Sequence, residues 1–439
     1  MTKEAIINSI RDAGVVGAGG AGFPTHVKLA AKADTVIANG AECEPLLRTD
    51  QLLMANHAKQ VLTGLALAME AVGAKSGVVA LKAHYHDAVA AFRKVIAKYP
   101  GIRVHEMESY YPAGDEKSII YDVTRRVVPT GKLPADVGVV VCNVNTLLNV
   151  AQAAKQVPVT KKFVTVSGCV GSPATYEVPI GADAAELLAW ADAPIGDYTL
   201  LVGGPCMGYL TTDFHLPITK TVGGLILFPS GHPYVRQRSI NPQRQLALAK
   251  AVCCQCTQCT QLCPRNALGL GVAPHKAMRA MAQGKGSLLG DPNAILACSS
   301  CGLCSIYSCN FGLNPSGFMT QLKDELGRQG VRPEPETEIH PDSALELKKV
   351  PVARIIARMG LSAYNVPAPI TKAPTVTRVT IPLRQHIGAP SEPVVTEGAL
   401  VHEGDLIAMI PDGALGASVH ASLSGRVTRV TADSISLEA

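Results

Sequence analysis

Cysteine spacing constrains this chain more than any other feature of its sequence. Cys253, Cys256, Cys259 and Cys263 follow the spacing C-x2-C-x2-C-x3-C, and Pro264 comes directly after the last of them. Such a run places three thiolates around one 4Fe-4S cluster and gives its fourth cysteine to a second cluster. It therefore needs a companion run, which the sequence supplies as Cys298, Cys301, Cys304 and Cys309. Eight of the thirteen cysteines are thus predicted to bind two 4Fe-4S clusters that carry electrons.

The spacing assigns these cysteines to two rings. The first ring is predicted to contain Cys253, Cys256, Cys259 and Cys309, and the second ring Cys298, Cys301, Cys304 and Cys263. Cys309 departs from the pattern, because four residues separate it from Cys304 and Asn310 stands where proline is usual. Cys254 lies outside the spacing, as a spare thiol or a small buried residue. Two four-cysteine zinc sites are the alternative, although zinc motifs usually pair C-x2-C units at a distance.

The N-terminal half of the 439-residue chain divides into two segments with different predicted patterns of secondary structure. Residues 1–157 are predicted to form an α/β domain, and residues 158–235 a small α+β module. In the first segment, apolar strands at 35–38, 77–82, 102–107 and 137–142 alternate with helical stretches at 51–71, 87–98, 115–127 and 146–156. The second segment has strands at 163–167 and 200–202 and one helix at 184–191.

The C-terminal half divides into three further segments. Residues 240–330 carry the cysteine runs on short helical pieces and are predicted to form a two-cluster, ferredoxin-like domain. Residues 331–375 are rich in Pro and charge and are predicted to be partly linker. Residues 376–439 contain short strands, for example 426–430, between glycine turns, which predicts a small all-β barrel or sandwich. The fold class is therefore multidomain.

Composition excludes several classes of protein. Charged residues make up 17% of the chain, and Lys and Arg are scattered rather than clustered, so we expect no nucleic-acid partner. No stretch reaches the roughly 18 apolar residues that a membrane-spanning helix needs. Residues 1–11 lack the apolar core of a secretory signal, which predicts a cytoplasmic protein. In a reducing cytosol, thiolate ligation is expected rather than disulfides.

A glycine-rich loop near the N-terminus predicts a phosphate-binding turn. The segment from Gly17 to Gly22 satisfies G-x-G-x-x-G, and Glu42 follows twenty residues later. A helical stretch at 3–11 precedes the loop, where a Rossmann fold has a strand, so the match does not by itself predict that fold. Bare backbone N–H groups near a helix N-terminus bind phosphate well. An ordinary glycine turn is the alternative.

Three motifs together resemble the NADH- and FMN-binding subunit of respiratory complex I. They are, in order, the glycine loop, Asn39-Gly40-Ala41-Glu42-Cys43-Glu44-Pro45 and Cys142-Asn143-Val144-Asn145-Thr146. A fourth segment is more similar to the RnfC family of electron-transfer subunits: Tyr111-Pro112-Ala113-Gly114-Asp115-Glu116-Lys117. Over nearly its whole length the chain resembles the PduS-type family of cobalamin reductases, which belong to propanediol utilisation.

This resemblance implies FMN and NADH sites within residues 1–157. The FMN phosphate would be wrapped by Gly17, Gly19, Gly20, Gly22 and Lys28. The ribityl chain and ring edge would contact Asn39, Asn143, Asn145 and Thr146. NADH would be positioned by Phe23, Glu42 and Glu44. The complex I pattern has an acidic residue at the position of Ala41, and a solvated turn is the alternative for the two glutamates.

Two further segments resemble known modules. Residues 162–232 are similar to the β-grasp SLBB domain, which occurs in complex I and in soluble cobalamin-binding proteins. The C-terminal segments 381–390 and 419–427 resemble the barrel-sandwich hybrid domain of RnfC, which comes first in RnfC and last here. The turn at 411–414 has no lysine for acylation, as a lipoyl carrier would need. We therefore expect the C-terminal domain to be a docking or packing module.

Together these resemblances imply an NADH-dependent oxidoreductase that acts as a cobalamin reductase. Electrons would pass from NADH to FMN, then to the two clusters and to cobalamin. A flavin is needed between NADH and the clusters, because NADH gives two electrons together and each cluster takes one. The expected partners are NADH and cobalamin, or a cobalamin-handling enzyme. The alternatives are an RnfC-like subunit of a membrane complex and a non-enzymatic iron-sulfur scaffold or docking protein.

The resemblance also implies a cellular place, inside a bacterial microcompartment in the cytoplasm, with microcompartment proteins as neighbours. The amphipathic start of the chain, with Ile6, Ile7 and Ile10, fits either of two roles. It is a packaging helix or the first helix of the flavin domain.

Overall fold

Four structural units follow one another in the computed structural model, which describes residues 1–335 and 338–439. They are a parallel-sheet unit, a mixed-sheet unit, a helical unit that carries the cysteine runs, and a small all-β unit. Apolar side chains of the first, second and fourth units share one core, whereas the helical unit has smaller cores of its own. Within the described ranges, no helix is both long and apolar enough to span a membrane.

The first unit is a parallel sheet covered by helices. Its strands are β1 (Thr35–Gly40), β2 (Ser76–Lys82), β3 (Ile102–Met107) and β5 (Val139–Asn143), with the short β4 (Tyr110–Tyr111) outside this sheet. Its helices are α1 (Lys3–Asp12), α2 (Thr25–Leu29), α3 (Thr49–Val72), α4 (His86–Val95), α5 (Glu116–Thr124) and α6 (Val144–Ala153). The strands β1, β2 and β5 are almost continuously buried, as expected for a parallel sheet with helices on its faces. The four strands predicted from the sequence are thus confirmed.

The strand order of this sheet creates a binding crevice. The order is β3-β2-β1-β5, and each neighbouring pair is parallel. The chain therefore builds β2 and β3 on one side of β1 and β5 on the other. Ligands of doubly wound sheets bind at such a reversal, outside the carboxyl ends of the strands. Asn39 and Asn143 are register partners at that end of β1 and β5.

The second unit is a mixed sheet with one helix. Its strands are β6 (Lys161–Gly168), β7 (Ala174–Pro179), β8 (Tyr198–Val202), β9 (Tyr209–Thr211) and β10 (Gly224–Pro229), and its helix is α7 (Ala184–Trp190). The strands β6 and β10 are parallel, whereas β6 pairs with β7, and β10 with β8, in antiparallel fashion. The strands predicted at 163–167 and 200–202 and the helix at 184–191 are therefore formed.

The helical unit holds the cysteines on short helices and loops. Its helices are α8 (Pro233–Arg238), α9 (Pro242–Val252), α10 (Gln258–Gln261), α11 (Pro264–Ala267), α12 (Pro274–Gln283), α13 (Asn293–Leu296) and α14 (Pro315–Arg328). A π-helical turn spans Cys304–Ser308. Proline at the first helical position begins α8, α9, α11, α12 and α14, because a fixed φ and a missing N–H suit that position.

The segment 331–375, predicted to be partly linker, is anchored to two other units in its described part. Its elements are β11 (Val350–Pro351), α15 (Val352–Arg358) and β12 (Ile370–Thr371). β11 pairs with β4 of the first unit, and β12 adds an edge strand to β7 of the second unit. The difference from the expectation arises because Val350, Ile355 and Ile356 are buried, which a free linker would not allow.

The C-terminal unit consists of two small antiparallel sheets. Its strands are β13 (Arg378–Pro382), β14 (Glu392–Pro393), β15 (Leu400–Val401), β16 (Leu406–Met409), β17 (Val419–His420), β18 (Gly425–Val430) and β19 (Ser434–Glu438). The sheets have the orders β13-β19-β18-β15 and β14-β16-β17. This unit packs on the glycine loop, where the Ile387 N–H donates to the Gly22 carbonyl at 3.3 Å. At the other end of the chain, α1 buries Ile6 and Ile10 in the shared core.

Candidate functional site

A cavity of about 410 Å³ lies at the crevice between β1 and β5. It is lined by the glycine loop, by both asparagine-containing motifs, by β6 and the loop at 203–208, and by Ser299 and Cys301 of the second cysteine run. Three of the four units therefore contribute to it. Its volume lies within the range of about 300–1,000 Å³ that is usual for cofactor and ligand pockets.

The glycine loop closes one end of this cavity. Gly19 and Gly20 line it, whereas Gly17, Gly22 and Phe23 lie outside its lining and shape the loop. The Gly17 N–H donates to the Phe23 carbonyl at 3.0 Å. Gly22 has a φ of 74° and packs against the backbone of the C-terminal unit, where a Cβ would lie 2.9 Å from the Gln385 oxygen. Hydrogen bonding and packing therefore hold the loop in a defined turn.

Two polar side chains fix the middle of the glycine loop. The Ala18 N–H donates to Thr146 Oγ1 at 2.9 Å, and Lys162 Nζ donates to the Ala18 carbonyl at 2.9 Å. Burial lowers the pKa of Lys162 to about 8, with Asp50 and Glu42 acting against that shift. Thr146 was predicted from the sequence, but Lys162 was not. A cation at this position suits an anionic ligand in the cavity.

Lys28 is not brought to the cavity. Its Nζ donates to Glu116 Oε1 and to the Val141 carbonyl, each at 3.0 Å. Burial works against its charge, but the Glu116 carboxylate outweighs burial and leaves the pKa of Lys28 raised. The predicted contact of Lys28 with a phosphate stays a prediction.

The asparagines form an ordered polar wall at the strand ends. Asn39 Nδ2 donates to the Gly114 carbonyl at 2.9 Å, and Asn143 Nδ2 donates to Asp50 Oδ2 at 2.7 Å. Asn143 Oδ1 also caps α6 by accepting from the Asn145 N–H at 2.8 Å. The Asn145 Nδ2 atom is buried with no protein partner. Buried polar atoms nearly always have a partner, so this amide is available to a ligand.

Three carboxyl groups stand on one side of the cavity. Burial, with the charge of Asp50, raises the pKa of Glu42 to about 8, and burial raises the pKa of Glu44 to about 7. Burial also raises the pKa of Asp50 to about 6. Glu44 Oε2 accepts from the Cys206 N–H at 2.7 Å, whereas its Oε1 has no protein partner. Both glutamates are partly buried in the cavity wall, so the turn that carries them is not fully solvated.

Replacing Glu44 with Gln is expected to reduce the pH dependence of stability of the flavin-free protein. A carboxyl whose folded pKa lies above its unfolded value stabilises the fold at low pH, and that stability is lost as pH rises through about 7. The variant should gain about 1–2 kcal/mol in free energy of unfolding near pH 8 and much less near pH 5, which is close to the ordinary Glu pKa of the unfolded chain. Thermal unfolding at both pH values measures this, with exposed Glu177→Gln as the control. A gain of equal size at both pH values would contradict the assignment.

The two cysteine runs fold into the same local loop. Gln255 and Ser300 precede the middle cysteine of each run with φ values of 57° and 56°, and Thr257 and Gly302 follow it with 62° and 75°. Residues other than glycine rarely adopt a left-handed backbone conformation. Because this conformation recurs at equivalent positions of the two runs, it marks a turn that both runs require. The sequence repeat is therefore also a structural repeat.

Thiols of the same predicted ring lie near one another. Burial, followed by the charges of Cys309, Cys253 and Cys256, raises the pKa of Cys259 to about 11. Burial, followed by Cys301, and with Cys298 nearby, raises the pKa of Cys263 to about 12. Burial, followed by the charges of Cys301, Cys263 and Cys298 and then of Cys259, raises the pKa of Cys304. The thiols of Cys259 and Cys263 are therefore protonated until a metal binds and releases their protons.

The irregular spacing before Cys309 has a structural cause. The π-helical turn Cys304–Ser308 takes up one residue more than an α-helical turn would. Cys309 then lines a small cavity together with Cys253, Cys256 and Cys259 of the first ring. Cys254 is exposed at the edge of the same cavity. The extra residue therefore does not remove Cys309 from its ring.

The second ring is in direct contact with the large cavity. Cys301 lines the cavity, and the Tyr111 hydroxyl donates to the Cys301 carbonyl at 2.5 Å. Tyr111, Asp50, Lys162 and Cys206 were not predicted from the sequence. They come from separate segments, and only the register of the sheets and the packing of the units bring them together.

The residues fit the groups that the sequence predicts. The cavity has the size of a cofactor site, two unpartnered polar atoms at Asn145 and Glu44, and glycines where side chains would clash. A Cβ on Gly19 would lie 2.7 Å from Asn143 Nδ2, and a Cβ on Gly204 would lie 2.2 Å from the Glu44 side chain. The eight predicted cysteines are the all-thiolate donors that 4Fe-4S clusters take, and among the described residues no three His, Cys, Asp or Glu side chains are grouped to hold a single metal ion.

Three family models match separate parts of the chain. The Nuo51 FMN-binding domain matches residues 10–152, and the 4Fe-4S dicluster domain matches residues 252–314. The RnfC barrel sandwich hybrid domain matches residues 362–438. These matches favour iron-sulfur clusters over the zinc alternative.

Relatives with similar full-length sequences are known. The cobalamin reductase PduS of Citrobacter freundii is 42% identical over 438 residues, which cover 99% of this chain and 96% of that protein. PduS of Salmonella typhimurium is also 42% identical, over 100% of this chain and 97% of that protein. One subunit of the Na(+)-translocating ferredoxin:NAD(+) oxidoreductase complex of Acetobacterium woodii is 34% identical, over 63% of this chain and 61% of its own length. The chain belongs to the PduS family of cobalamin reductases, and it is an oxidoreductase with an FMN-binding domain and a 4Fe-4S dicluster domain.

Proposed function

We propose that this chain is an NADH-dependent cobalamin reductase in which the large cavity holds FMN and receives NADH. When bound, FMN supplies the exchange between the hydride of NADH, which carries two electrons, and the one-electron chemistry of the clusters. One NADH would then support two one-electron reductions of cobalamin and leave as NAD+. The same electron count holds whether cob(III)alamin or cob(II)alamin is the acceptor.

One observation carries this proposal. The cavity that contains the glycine loop and the asparagines is also lined by Ser299 and Cys301. A flavin in this cavity would lie next to the second ring, with the first ring beyond it. The order of sites therefore matches the order in which electrons must move.

The chain's own residues would have distinct tasks in this cavity. Gly19 and Gly20 would leave room for the phosphate, and Lys162 would add positive charge beside it. Asn39, Asn143 and Asn145 would bind the ribityl chain and the ring edge, with the free amide of Asn145 as a donor. Glu42 and Glu44 would position NADH. Gly17, Gly22 and Thr146 would act through the shape of the loop.

The finer assignments belong to the same proposal. The second unit, residues 158–235, would be a β-grasp domain of the SLBB type, because its mixed sheet packs one helix, α7, in the manner of that module. The bounds predicted for the other domains are proposed likewise. The relatives' name implies propanediol utilisation, and we propose a microcompartment in the cytoplasm as the place of action. A corrinoid or a cobalamin-handling enzyme would be the partner.

An anaerobic assay tests the proposed activity. Protein reconstituted with iron, sulfide and FMN is mixed with NADH and either cob(III)alamin or cob(II)alamin, and the corrinoid spectrum is followed. We expect reduction of cobalamin, with two cob(III)alamin converted to cob(II)alamin for each NADH oxidised. Ferredoxin replaces cobalamin as the comparison acceptor. Faster turnover with ferredoxin and none with either cobalamin would overturn the proposal.

A further inference from the structure

A buried ion pair joins the second ring to the wall of the large cavity. Arg265 Nη2 lies 2.6 Å from Asp115 Oδ1, and the two side chains are 10% and 9% exposed. Arg265 follows Cys263 by two residues, at the start of α11. Asp115 lines the cavity and caps α5 by accepting from the Ser118 N–H at 3.1 Å. The pair therefore connects two sites that lie on different units.

Stability alone gives a poor account of this pair. Desolvation of two buried charges usually cancels most of their attraction, so a buried pair is weak evidence for added stability. Arg265 Nε is also buried with no protein partner, so its guanidinium is incompletely satisfied by the chain. Burying this guanidinium costs free energy that its attraction to Asp115 does not offset. The positive charge therefore points to a negative group other than Asp115.

After Asp115, the groups that act on the charge of Arg265 are Cys301 and Cys263, two predicted ligands of the second ring. Burial opposes the charge of Arg265, but Asp115 first, and then Cys301 and Cys263, raise its pKa. Burial and the charge of Asp115 also raise the pKa of Cys301. The guanidinium thus stands beside two of the four predicted ligands of one cluster, in a region of low dielectric constant. Neither residue had a role assigned from the sequence.

We propose that Arg265 raises the reduction potential of the second cluster and that Asp115 orients Arg265 and limits its effect. A cluster gains one negative charge when it takes an electron, and a fixed cation nearby stabilises that state. The carboxylate of Asp115 has the opposite influence because its charge is negative. The inference rests on the proposed function, since it requires a cluster in the second ring.

This proposal makes two predictions of opposite sign. Arg265→Gln should lower the midpoint potential of the second cluster, whereas Asp115→Asn should raise it. We expect roughly a tenfold change or more in the equilibrium constant for sharing an electron between the clusters in each case. Arg265→Lys keeps the charge, so the midpoint potential of its second cluster should lie nearer to the wild-type value. The first cluster should keep its potential in all three variants.

The measurement is a redox titration of the reconstituted full-length protein, monitored by EPR. Cys256→Ala, which lacks one ligand of the first ring, identifies the signal of the second cluster. Exposed Arg244→Gln is the control for loss of a positive charge elsewhere in the helical unit. If Arg265→Gln does not assemble its clusters, the rise expected for Asp115→Asn still tests the proposal.

The possible outcomes separate the proposal from a purely structural role. A clamp between two units would lower the thermal midpoint in both variants and leave the potentials unchanged, which would overturn the proposal. Shifts of both variants in the same direction would also overturn it. Absence of a second signal in the wild-type protein would instead contradict the proposed function, because no cluster would be present to tune.

Discussion

Replacing Gly19 with Ala is expected to weaken FMN binding and leave both clusters in place. The added Cβ would lie 2.7 Å from Asn143 Nδ2 and 3.0 Å from its Cγ. Asn143 cannot move without cost, because it donates to Asp50 and caps α6. Loss of a hydrogen bond to a charged group costs about 1.5–3 kcal/mol, which corresponds to roughly 10- to 100-fold in FMN affinity. FMN titration of the iron-loaded protein measures this, and reduction of cobalamin by NADH should fall in parallel.

Gly327→Ala is the control for this variant. A Cβ at Gly327 would meet nothing within 4 Å, and this exposed glycine of α14 does not line the cavity. We expect this variant to bind FMN like the wild type, with the same iron content in both proteins. Equal FMN affinity in Gly19→Ala and Gly327→Ala would mean that the flavin lies elsewhere.

Replacing Cys309 with Ala is expected to remove the first cluster alone. Its thiolate is the predicted fourth ligand of the first ring, and after the π-helical turn Cys309 lines one cavity with Cys253, Cys256 and Cys259. Because each iron takes one thiolate, we expect the first cluster not to assemble stably on three cysteines. The iron and sulfide content should therefore fall by half, and one EPR signal should vanish while that of the second ring remains.

Cys254→Ala is the control, because this exposed thiol borders the same cavity without belonging to the spacing. Its iron content should equal that of the wild type. If Cys254→Ala lost the cluster and Cys309→Ala kept it, the ring assignment would be wrong and Cys254 would be the fourth ligand.

Local patterns predicted much of the fold. The strands β1, β2, β3 and β5 followed from apolar runs between helical stretches, and the repeat in the cysteine spacing is matched by the repeat of left-handed residues at Gln255 and Ser300. The segment 331–375 was the main difference. Its pairing through Val350 and Ile370 depends on strands more than a hundred residues away, which no local pattern contains.

The site was predicted in part. Motif residues such as Asn39 and Asn143 meet because parallel strands align their carboxyl ends. Asp50 and Lys162 were missed because each is one polar residue within an ordinary helix or strand, and only tertiary packing turns it toward the cavity. The same holds for Tyr111 and Arg265, whose partners Cys301 and Asp115 lie 190 and 150 residues away. Lys28 is the opposite case. It was predicted from the sequence, but its ammonium group pairs with Glu116 and does not reach the cavity.

The central claim is that electrons from NADH reach the clusters only through the flavin cavity. Its most direct test is anaerobic stopped-flow mixing of NADH with iron-loaded protein, with and without FMN, while the absorbance of the clusters is followed. With FMN bound, two equivalents of NADH should bleach the flavin and reduce both clusters, and without FMN the clusters should stay oxidised. Reduction of the clusters by NADH at the same rate in flavin-free protein would contradict the claim.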